Sequence, residues 1–211
     1  MLKSFKTEIN PTSEQKQVIN KTIGVCRYVY NFFLGYNKEM YDKDGTYISG
    51  MDFSKWLNNE YIPENPDKSW IKDVSAKSVK QSIMNAHTAF MRFFKKKSSY
   101  PRFKKKNTSE PKMYFVKNDA KTIIPCERHR IKIPTLGWVR LKEKAYIPTD
   151  MIIKSGTVSK KAGRYYVSVL VEVPEPEKRP LGETGTGIDL VQLHGSSLPV
   201  YKFIEMLMIR S

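Results

Sequence analysis

Asp189 is the residue at which a catalytic site could begin in this chain. It lies in Gly187-Ile188-Asp189-Leu190, after a stretch rich in aromatic and β-branched residues at 164–173 and a proline-rich connection at 174–180. Aromatic and β-branched residues suit strands, so the pattern indicates a strand, a linker and a new domain beginning near Gly185. We expect the sequence after Asp189 to be too short to complete a catalytic site.

A second group of candidate residues lies in the segment 92–106, where eight Lys or Arg residues alternate with aromatic ones. Cations neutralise phosphates, and each aromatic face that stacks on an unpaired base contributes about 1–3 kcal/mol. The alternative is a solvated linker whose aromatic residues anchor it to the core. We interpret the segment as a nucleic-acid contact, with some of its aromatic residues in the core. The candidates are Arg92, Lys95, Lys96, Lys97, Tyr100, Arg102, Lys104, Lys105 and Lys106.

The overall charge also favours a polyanionic partner. The 211 residues include 37 Lys or Arg and 21 Asp or Glu, which gives a net charge of +16. An anionic membrane is the competing partner, but the basic residues are spread over helix-like and strand-like segments, and no apolar run approaches the roughly 20 residues that span a bilayer. We therefore expect a cytoplasmic, nucleoid-associated protein that binds nucleic acid and does not contact a membrane.

The two cysteines, Cys26 and Cys126, are too few for a disulfide framework or a four-cysteine zinc site. Neither lies in a catalytic or metal-binding spacing. Each is predicted to be a small buried hydrophobic residue.

Two long helices are predicted to position the basic residues. Thr12 and Gln15 have the spacing of a capping box, and apolar residues then recur at three- and four-residue steps to about residue 40. A second long helix is predicted to start near Ser75. Its apolar stripe contains Val79, Ile83, Ala86, Phe90, Phe93 and Phe94. Its other faces carry polar residues that either contact nucleic acid or are simply solvated: Lys77, Lys80, Gln81, Asn85, Arg92 and Lys95.

After Lys106 the pattern changes from helical to extended. Strands are predicted at 113–117, 122–125, 130–133, 138–142, 151–160 and 163–173. With a first strand at 2–10, they are expected to close a small barrel into which the helices of residues 12–106 are inserted. The predicted fold class is therefore α+β.

Six motifs in this order carry a resemblance to a known family. They are Asn10-Pro11-Thr12 with Glu14-Gln15, Cys26-Arg27-Tyr28-Val29-Tyr30-Asn31, Tyr100-Pro101-Arg102-Phe103-Lys104, Leu136-Gly137-Trp138-Val139, Tyr165-Tyr166-Val167-Ser168 and Gly187-Ile188-Asp189-Leu190. From about residue 1 to residue 190 the chain resembles the TnpB family. These are the OrfB-type proteins of IS200/IS605 and IS607 transposons, related to type V CRISPR effectors.

The resemblance implies an RNA-guided DNA endonuclease with a defined domain order. A split β-barrel, the wedge domain, would comprise residues 1–10 and 107–175, and a helical recognition domain would comprise 11–106. A linker at 176–184 would precede the first strand of an RNase H-like (RuvC) domain, with a divergent tail, at 185–211. The implied partners are a guide RNA from the transposon end and double-stranded DNA with a short target-adjacent motif. Lys77, Lys80 and Gln81 are the nearest candidates for reading that motif.

In the family, Asp, Glu and Asp carboxylates of the RuvC-like domain bind two Mg²⁺ ions. Asp189 would be the first of them, whereas Glu205 falls too soon to be the second and is interpreted as a solvated charge. The resemblance stops after Leu190, and the family's zinc-binding cysteine pairs are missing. We expect a frameshift, a premature stop or a gene-fragment boundary there. Asp189 is thus expected to be unused, with no metal or cofactor for this chain alone and Mg²⁺ only with a complete RuvC-like domain.

Three functions follow from this interpretation. The first is a transposon-associated, TnpB-like protein that binds guide RNA and DNA but lacks a complete nuclease site. The second is part of a Mg²⁺-dependent endonuclease that another polypeptide completes. The third is a nuclease-inactive, RNA-guided repressor.

Overall fold

The computed structural model describes residues 1–106, 112–116 and 123–174, which lie within one compact unit, Met1–Glu175. The predicted linker at 176–184 and the predicted RuvC-like segment at 185–211, with Asp189, lie outside the described residues. The described part of the chain is α+β, as predicted, with four α-helices and a seven-stranded antiparallel sheet.

The chain begins with strand β1 (Leu2–Asn10), which leads directly into helix α1 (Ser13–Asp44). The predicted capping box is confirmed: the Gln15 N–H donates to Thr12 Oγ1 at 3.3 Å, and the Thr12 N–H donates to Gln15 Oε1 at 3.0 Å. These bonds satisfy backbone donors that have no partner inside the helix. Gln15 Nε2 also donates to the carbonyls of Leu136 and Trp138, at 3.0 and 2.9 Å. The start of α1 is therefore fixed to the sheet.

Shorter helical elements connect α1 to the second long helix. They are α2 (Gly50–Trp56), a π-helical turn (Leu57–Tyr61), α3 (Ile62–Glu64), a 3-10 stretch (Pro66–Asp73) and α4 (Ala76–Phe94). Helix α4 begins next to Ser75, where the sequence predicts it.

The helices share a core that is rich in aromatic side chains. Phe33 of α1 and Phe53 of α2 are fully buried and meet edge to face, with their ring centroids 5.1 Å apart. Of the predicted stripe on α4, Val79, Ile83, Ala86 and Phe90 are buried. The last residues of that stripe are only partly covered, because the helix ends there and 42% of Phe94 is exposed.

The remaining strands form one sheet with β1. They are β2 (Lys112–Val116), β3 (Cys126–Glu127), β4 (Arg130–Ile133), β5 (Gly137–Leu141), β6 (Ile152–Lys161) and β7 (Arg164–Glu172). Their spatial order is β2-β6-β7-β1-β5-β4-β3. Strand β1 pairs with β7 along its length, from Leu2 opposite Glu172 to Ile9 opposite Tyr165. It pairs with β5 only at Ile9 and Asn10, so β5, β4 and β3 extend from the end of β1.

The predicted closure into a split barrel is wrong for the described residues, because the edge strands β2 and β3 do not pair with each other. Strand β3 has two residues. It starts after Pro125, which lacks an N–H for a ladder, rather than at the predicted 122–125. Strand β2 packs instead against α1 and α4, where Ser78 Oγ donates to the carbonyl of Tyr114. A helix thus covers the edge that closure would have paired.

The sheet has a core of its own, built from the inward side chains of each strand, among them Val167, Val169 and Val171 of β7. Helix α1 contributes to both cores: Ile19 and Ile23 pack with the sheet, while Val29 and Phe33 pack with the other helices. The predicted domain boundaries at residues 11 and 106 stay a prediction. Within the residues described, no helix has the length and apolar character needed to cross a membrane.

His87 of α4 fixes the connection between α1 and α2. Its Nδ1 accepts a hydrogen bond from the Gly50 N–H at 3.3 Å and also contacts the Tyr47 hydroxyl. Tyr47 stacks on the His87 ring, and burial raises the pKa of Tyr47 to about 12. The hydroxyl therefore keeps its proton, and the contacts favour a neutral imidazole whose proton is on Nε2.

Lowering the pH from 7.5 to 5 is therefore expected to destabilise the protein through His87. Burial lowers the pKa of His87 below its ordinary value of 6.5, so the unfolded chain binds the proton more readily. The stability that the neutral His87 ring contributes is complete above pH 6.5 and is lost as the pH falls through the lower pKa of the folded state. Because the ring is partly exposed, solvent screening keeps this loss of stability small.

Urea denaturation at several pH values measures this loss. His87→Phe is the matched variant, because a ring remains at the position but cannot be protonated. Its free energy of unfolding should change less between pH 7.5 and 5 than that of the unmodified protein. Equal changes in the two proteins would contradict the assignment.

Candidate nucleic-acid interface

Asn31 of α1 holds the basic segment 92–106 against the helices. Its Nδ2 donates to the carbonyl of Lys104 at 3.0 Å, and its Oδ1 accepts from the Lys104 N–H at 2.7 Å. One amide side chain therefore satisfies both backbone groups of Lys104, as a neighbouring strand would. This contact brings together two of the sequence motifs, Cys26-Arg27-Tyr28-Val29-Tyr30-Asn31 and Tyr100-Pro101-Arg102-Phe103-Lys104.

The Lys104 side chain lies over the face of Tyr30, with Nζ 3.8 Å from the ring centroid. Burial lowers the pKa of Lys104, and the ring face offsets part of that cost by attracting the cation. The ammonium is thus held in one place, without an ion pair to another described residue.

Lys104 lines a polar cleft of about 260 Å³ between α1, α4 and strands β2 and β6, which we call the α1–α4 cleft. Its polar lining includes Arg27, Gln81, Asn85, Lys104 and Lys112. Gln81 Nε2 donates to Asn85 Oδ1 at 2.9 Å, which aligns the two amides on α4. No carboxylate lines the described part of the cleft. Its chemistry is that of cations and amides, which suits phosphates and base edges.

The floor of the cleft is structural rather than reactive. Cys26 is buried, and burial raises the pKa of its thiol to about 12, so it is protonated at neutral pH and is a poor nucleophile. Ser82 Oγ donates to the carbonyl of Cys26, which joins α4 to α1. The prediction that Cys26 is a small buried hydrophobic residue is confirmed. Cys126 is half-buried.

The structure separates the residues predicted on the first half of α4. Gln81 lies in the α1–α4 cleft, whereas Lys80 lines a different depression with Lys72 and Asn58. Lys77 is half-buried and has an interaction partner. Gln81 is therefore the member of this group that the structure brings together with Lys104.

The predicted residues at the end of α4 form a second exposed group. Arg92, Lys95, Lys96 and Lys97 are exposed around the helix terminus, where Lys96 has a positive φ of 55° and the Lys97 N–H donates to the Arg92 carbonyl. Arg102, Lys105 and Lys106 are exposed farther along the segment.

The aromatic residues of the segment have different roles. Tyr100 meets Phe90 and Phe93 edge to face, at centroid distances of 5.4 and 5.2 Å, so it anchors the segment as well as presenting an exposed edge. Phe103 is 52% exposed and has no ring contact with another described residue. Phe103 is therefore the better candidate for stacking on a base.

The candidate residues predicted from the sequence include Asn85 but omit Arg27, Asn31 and Lys112. Arg27 is recognisable as a polar residue on the outer face of a predicted helix. Asn31 and Lys112 have no local signal, because their roles depend on contacts between distant segments. Asp189 lies outside the described residues, and the part of the chain that the structure describes holds no cluster of His, Cys, Asp or Glu able to bind a metal ion.

Comparisons with known proteins support the resemblance. A family model of the OrfB/IS605 type, described as a helix-turn-helix domain, matches residues 1–46. In the structure, these residues contain one strand and one long helix, β1 and α1. The description of the family model therefore does not by itself indicate that a helix-turn-helix binds DNA in this protein.

Three curated proteins are similar to this chain. A putative RNA-guided DNA endonuclease, InsQ, of Escherichia coli strain K12 is 29% identical over 81% of this chain and 40% of its own length. A putative RNA-guided DNA endonuclease of Streptomyces pristinaespiralis is 28% identical over 81% of this chain and 41% of its own length.

The third relative is the virulence protein VsdF of Salmonella dublin, which is 28% identical over 51% of this chain and 96% of its own length. The chain thus spans about 40% of the length of the two endonuclease relatives. Together, the family model and these relatives show that the chain is homologous to the TnpB/OrfB family of IS605 elements.

Proposed function

We propose that this chain binds a guide RNA from a transposon end and, with it, double-stranded DNA beside a short target-adjacent motif. The α1–α4 cleft and the basic segment 92–106 are the proposed interface. The observation that carries the proposal is the Asn31–Lys104 contact, which places the basic segment beside a polar cleft. Two relatives named as putative RNA-guided DNA endonucleases support the choice of partners.

The chemistry of the interface fits both kinds of contact. Lys104 and the exposed lysines of the segment supply phosphate contacts, which give affinity without sequence selectivity. Gln81 and Asn85 offer amide groups that can pair with base edges, and Phe103 offers a stacking face. The surface therefore provides both for affinity and for reading a short motif.

Cleavage is not part of the proposal for this chain alone. Asp189 is the one residue that the resemblance assigns to a two-metal site, and the described residues supply no set of carboxylates that would hold Mg²⁺ with it. With carboxylates that lie outside the described residues, the alternative function is a Mg²⁺-dependent endonuclease. A second alternative is a repressor, in which guided binding is itself the activity.

Purification from the native host, followed by sequencing of the copurifying RNA, tests the proposal. We expect one transposon-end transcript to be enriched, and DNA binding to require that RNA. A nonspecific mixture of RNA would contradict guided binding. Mg²⁺-dependent cutting by the purified chain that Asp189→Ala abolishes would overturn the assignment of binding without cleavage.

A further inference from the structure

A second basic surface is formed by β4, β5 and the turn between β3 and β4. Two adjoining depressions of about 650 and 300 Å³ share Asn10, His129 and Arg140 in their walls. We call them together the β4–β5 groove. Its basic lining residues are Arg128, His129, Arg130, Arg140, Lys142 and Lys144.

Most of this positive charge has no ion-pair partner among the described residues. Neither depression is lined by a carboxylate among the described residues. Arg128, Arg140 and Lys144 make no ion pair with any described residue, whereas Lys142 pairs with Glu8 at 3.0 Å. Arg140 lies directly opposite Arg130 in the β4–β5 register, and Glu127 offsets the charge of Arg130. Arg140 has no such carboxylate among the described residues, so a bound anion would neutralise it.

Trp138 forms a flat surface beside these cations. The guanidinium carbon of Arg130 lies 4.5 Å from the centroid of the Trp138 ring, and Glu127 holds that guanidinium through bonds of 2.7 and 3.0 Å. The Arg130 hydrogen bond also lowers the pKa of Glu127, so the carboxylate stays ionised. The tryptophan remains 37% exposed. The result is a fixed cation over one face of the Trp138 ring, so a base would stack on the exposed remainder of the side chain.

Backbone hydrogen bonds hold the walls of the groove in place. The Leu141 N–H donates to the carbonyl of His129 at 2.8 Å, and the Ala145 N–H donates to the carbonyl of Arg128 at 2.6 Å. Gln15 Nε2 donates to the carbonyl of Trp138 at 2.9 Å. Little ordering is thus needed on binding, which favours affinity.

We propose that the β4–β5 groove binds a single-stranded polynucleotide, with phosphates on the free arginines and lysine and an unpaired base on Trp138. This inference rests on the proposed function and adds a second site to it. A duplex would also satisfy the cations, but its bases are stacked inside the helix and cannot use the tryptophan ring. Trp138 therefore favours the single strand.

Binding of labelled 20-nucleotide single-stranded RNA, single-stranded DNA and duplex DNA to the full chain tests the proposal. Arg128→Gln with Arg140→Gln should weaken single-strand binding about tenfold and reduce the salt slope by about 1.4, at roughly 0.7 per lost phosphate contact. Trp138→Leu should weaken single-strand binding at least fivefold, with little change for the duplex, because stacking contributes about 1–3 kcal/mol.

Lys3→Gln with Lys154→Gln is the matched control. It removes the same charge from the same sheet, but Lys3 lies about 23 Å along β1 from Asn10, at roughly 3.3 Å per residue. Circular dichroism and thermal melting of each variant separate lost binding from lost folding. The groove assignment is supported if the groove variants lose affinity equally for single-stranded RNA and single-stranded DNA, or lose more affinity for RNA.

Two outcomes separate the hypotheses. If the unmodified chain binds no nucleic acid, both this inference and the proposed function fail. If it binds single strands and the groove variants bind them as the control does, the groove assignment alone fails. If the groove variants lose affinity for the duplex but not for single strands, the single-strand assignment is overturned.

Discussion

Replacing Gly156 with alanine is expected to destabilise the protein by about 1–3 kcal/mol, the usual cost of overpacking a core. Gly156 of β6 lies opposite Phe115 of β2, and the Phe115 ring covers it. A Cβ at residue 156 would lie 2.2 Å from Cζ of Phe115. Because Phe115 is 2% exposed, the ring cannot move aside without disturbing the sheet core. Urea denaturation measures the loss.

Gly24→Ala is the matched control for this substitution. Gly24 lies inside α1, and a Cβ there would meet nothing within 4 Å. Because alanine favours the helix over glycine, this variant should be more stable by about 0.5–1 kcal/mol. The same change of residue is thus expected to have opposite effects at the two positions.

A smaller side chain at residue 115 should remove the clash. Phe115→Leu alone leaves a cavity, but combined with Gly156→Ala it should cost less than the sum of the two single changes. Additive losses would show that the clash is not the cause. If Gly156→Ala had the stability of the unmodified protein, the packing of Phe115 on Gly156 would be contradicted.

The elements predicted correctly from the sequence are those with strong local signals. Thr12 and Gln15 form the predicted capping box, and apolar residues at helical spacing identify α1 and α4. Barrel closure depends on which distant edges pair, and the sequence contains no local signal for that. The predicted position of β3 is wrong because Pro125 lies in an apolar run that otherwise has strand character.

The candidate site shows the same division. The positive charge of Lys104 alone makes it a candidate contact residue, and its position after an aromatic residue suggests that the partner is nucleic acid. Its fixed position depends on Asn31, which is 73 residues away in the sequence. Tyr100 is of a residue type that stacks on bases, yet its contacts with Phe90 and Phe93 make it an anchor of the basic segment. Residue type thus indicates what a segment can bind, while tertiary contacts decide which side chains are available.

Asn31→Ala is expected to release the basic segment and weaken nucleic-acid binding by about five- to tenfold. The substitution removes both hydrogen bonds to the Lys104 backbone, each of which contributes about 0.5–1.5 kcal/mol. The Lys104 backbone is then no longer held by Asn31, so its ammonium loses its fixed position over Tyr30. Ordering the segment on binding then costs conformational entropy. Limited trypsin digestion should cut within residues 92–106 faster, because trypsin cleaves after Lys and Arg.

Asn20→Ala is the matched control, because Asn20 lies on the same helix but its side chain bonds to Tyr165 of the sheet, at 3.4 Å. It should leave the trypsin digestion of the segment and the affinity for nucleic acid nearly unchanged. Faster digestion with full affinity in Asn31→Ala would exclude the segment from the interface. Unchanged digestion would show instead that Tyr100, through its contacts with Phe90 and Phe93, is sufficient to order the segment, and the Asn31–Lys104 contact would then not be what positions the interface.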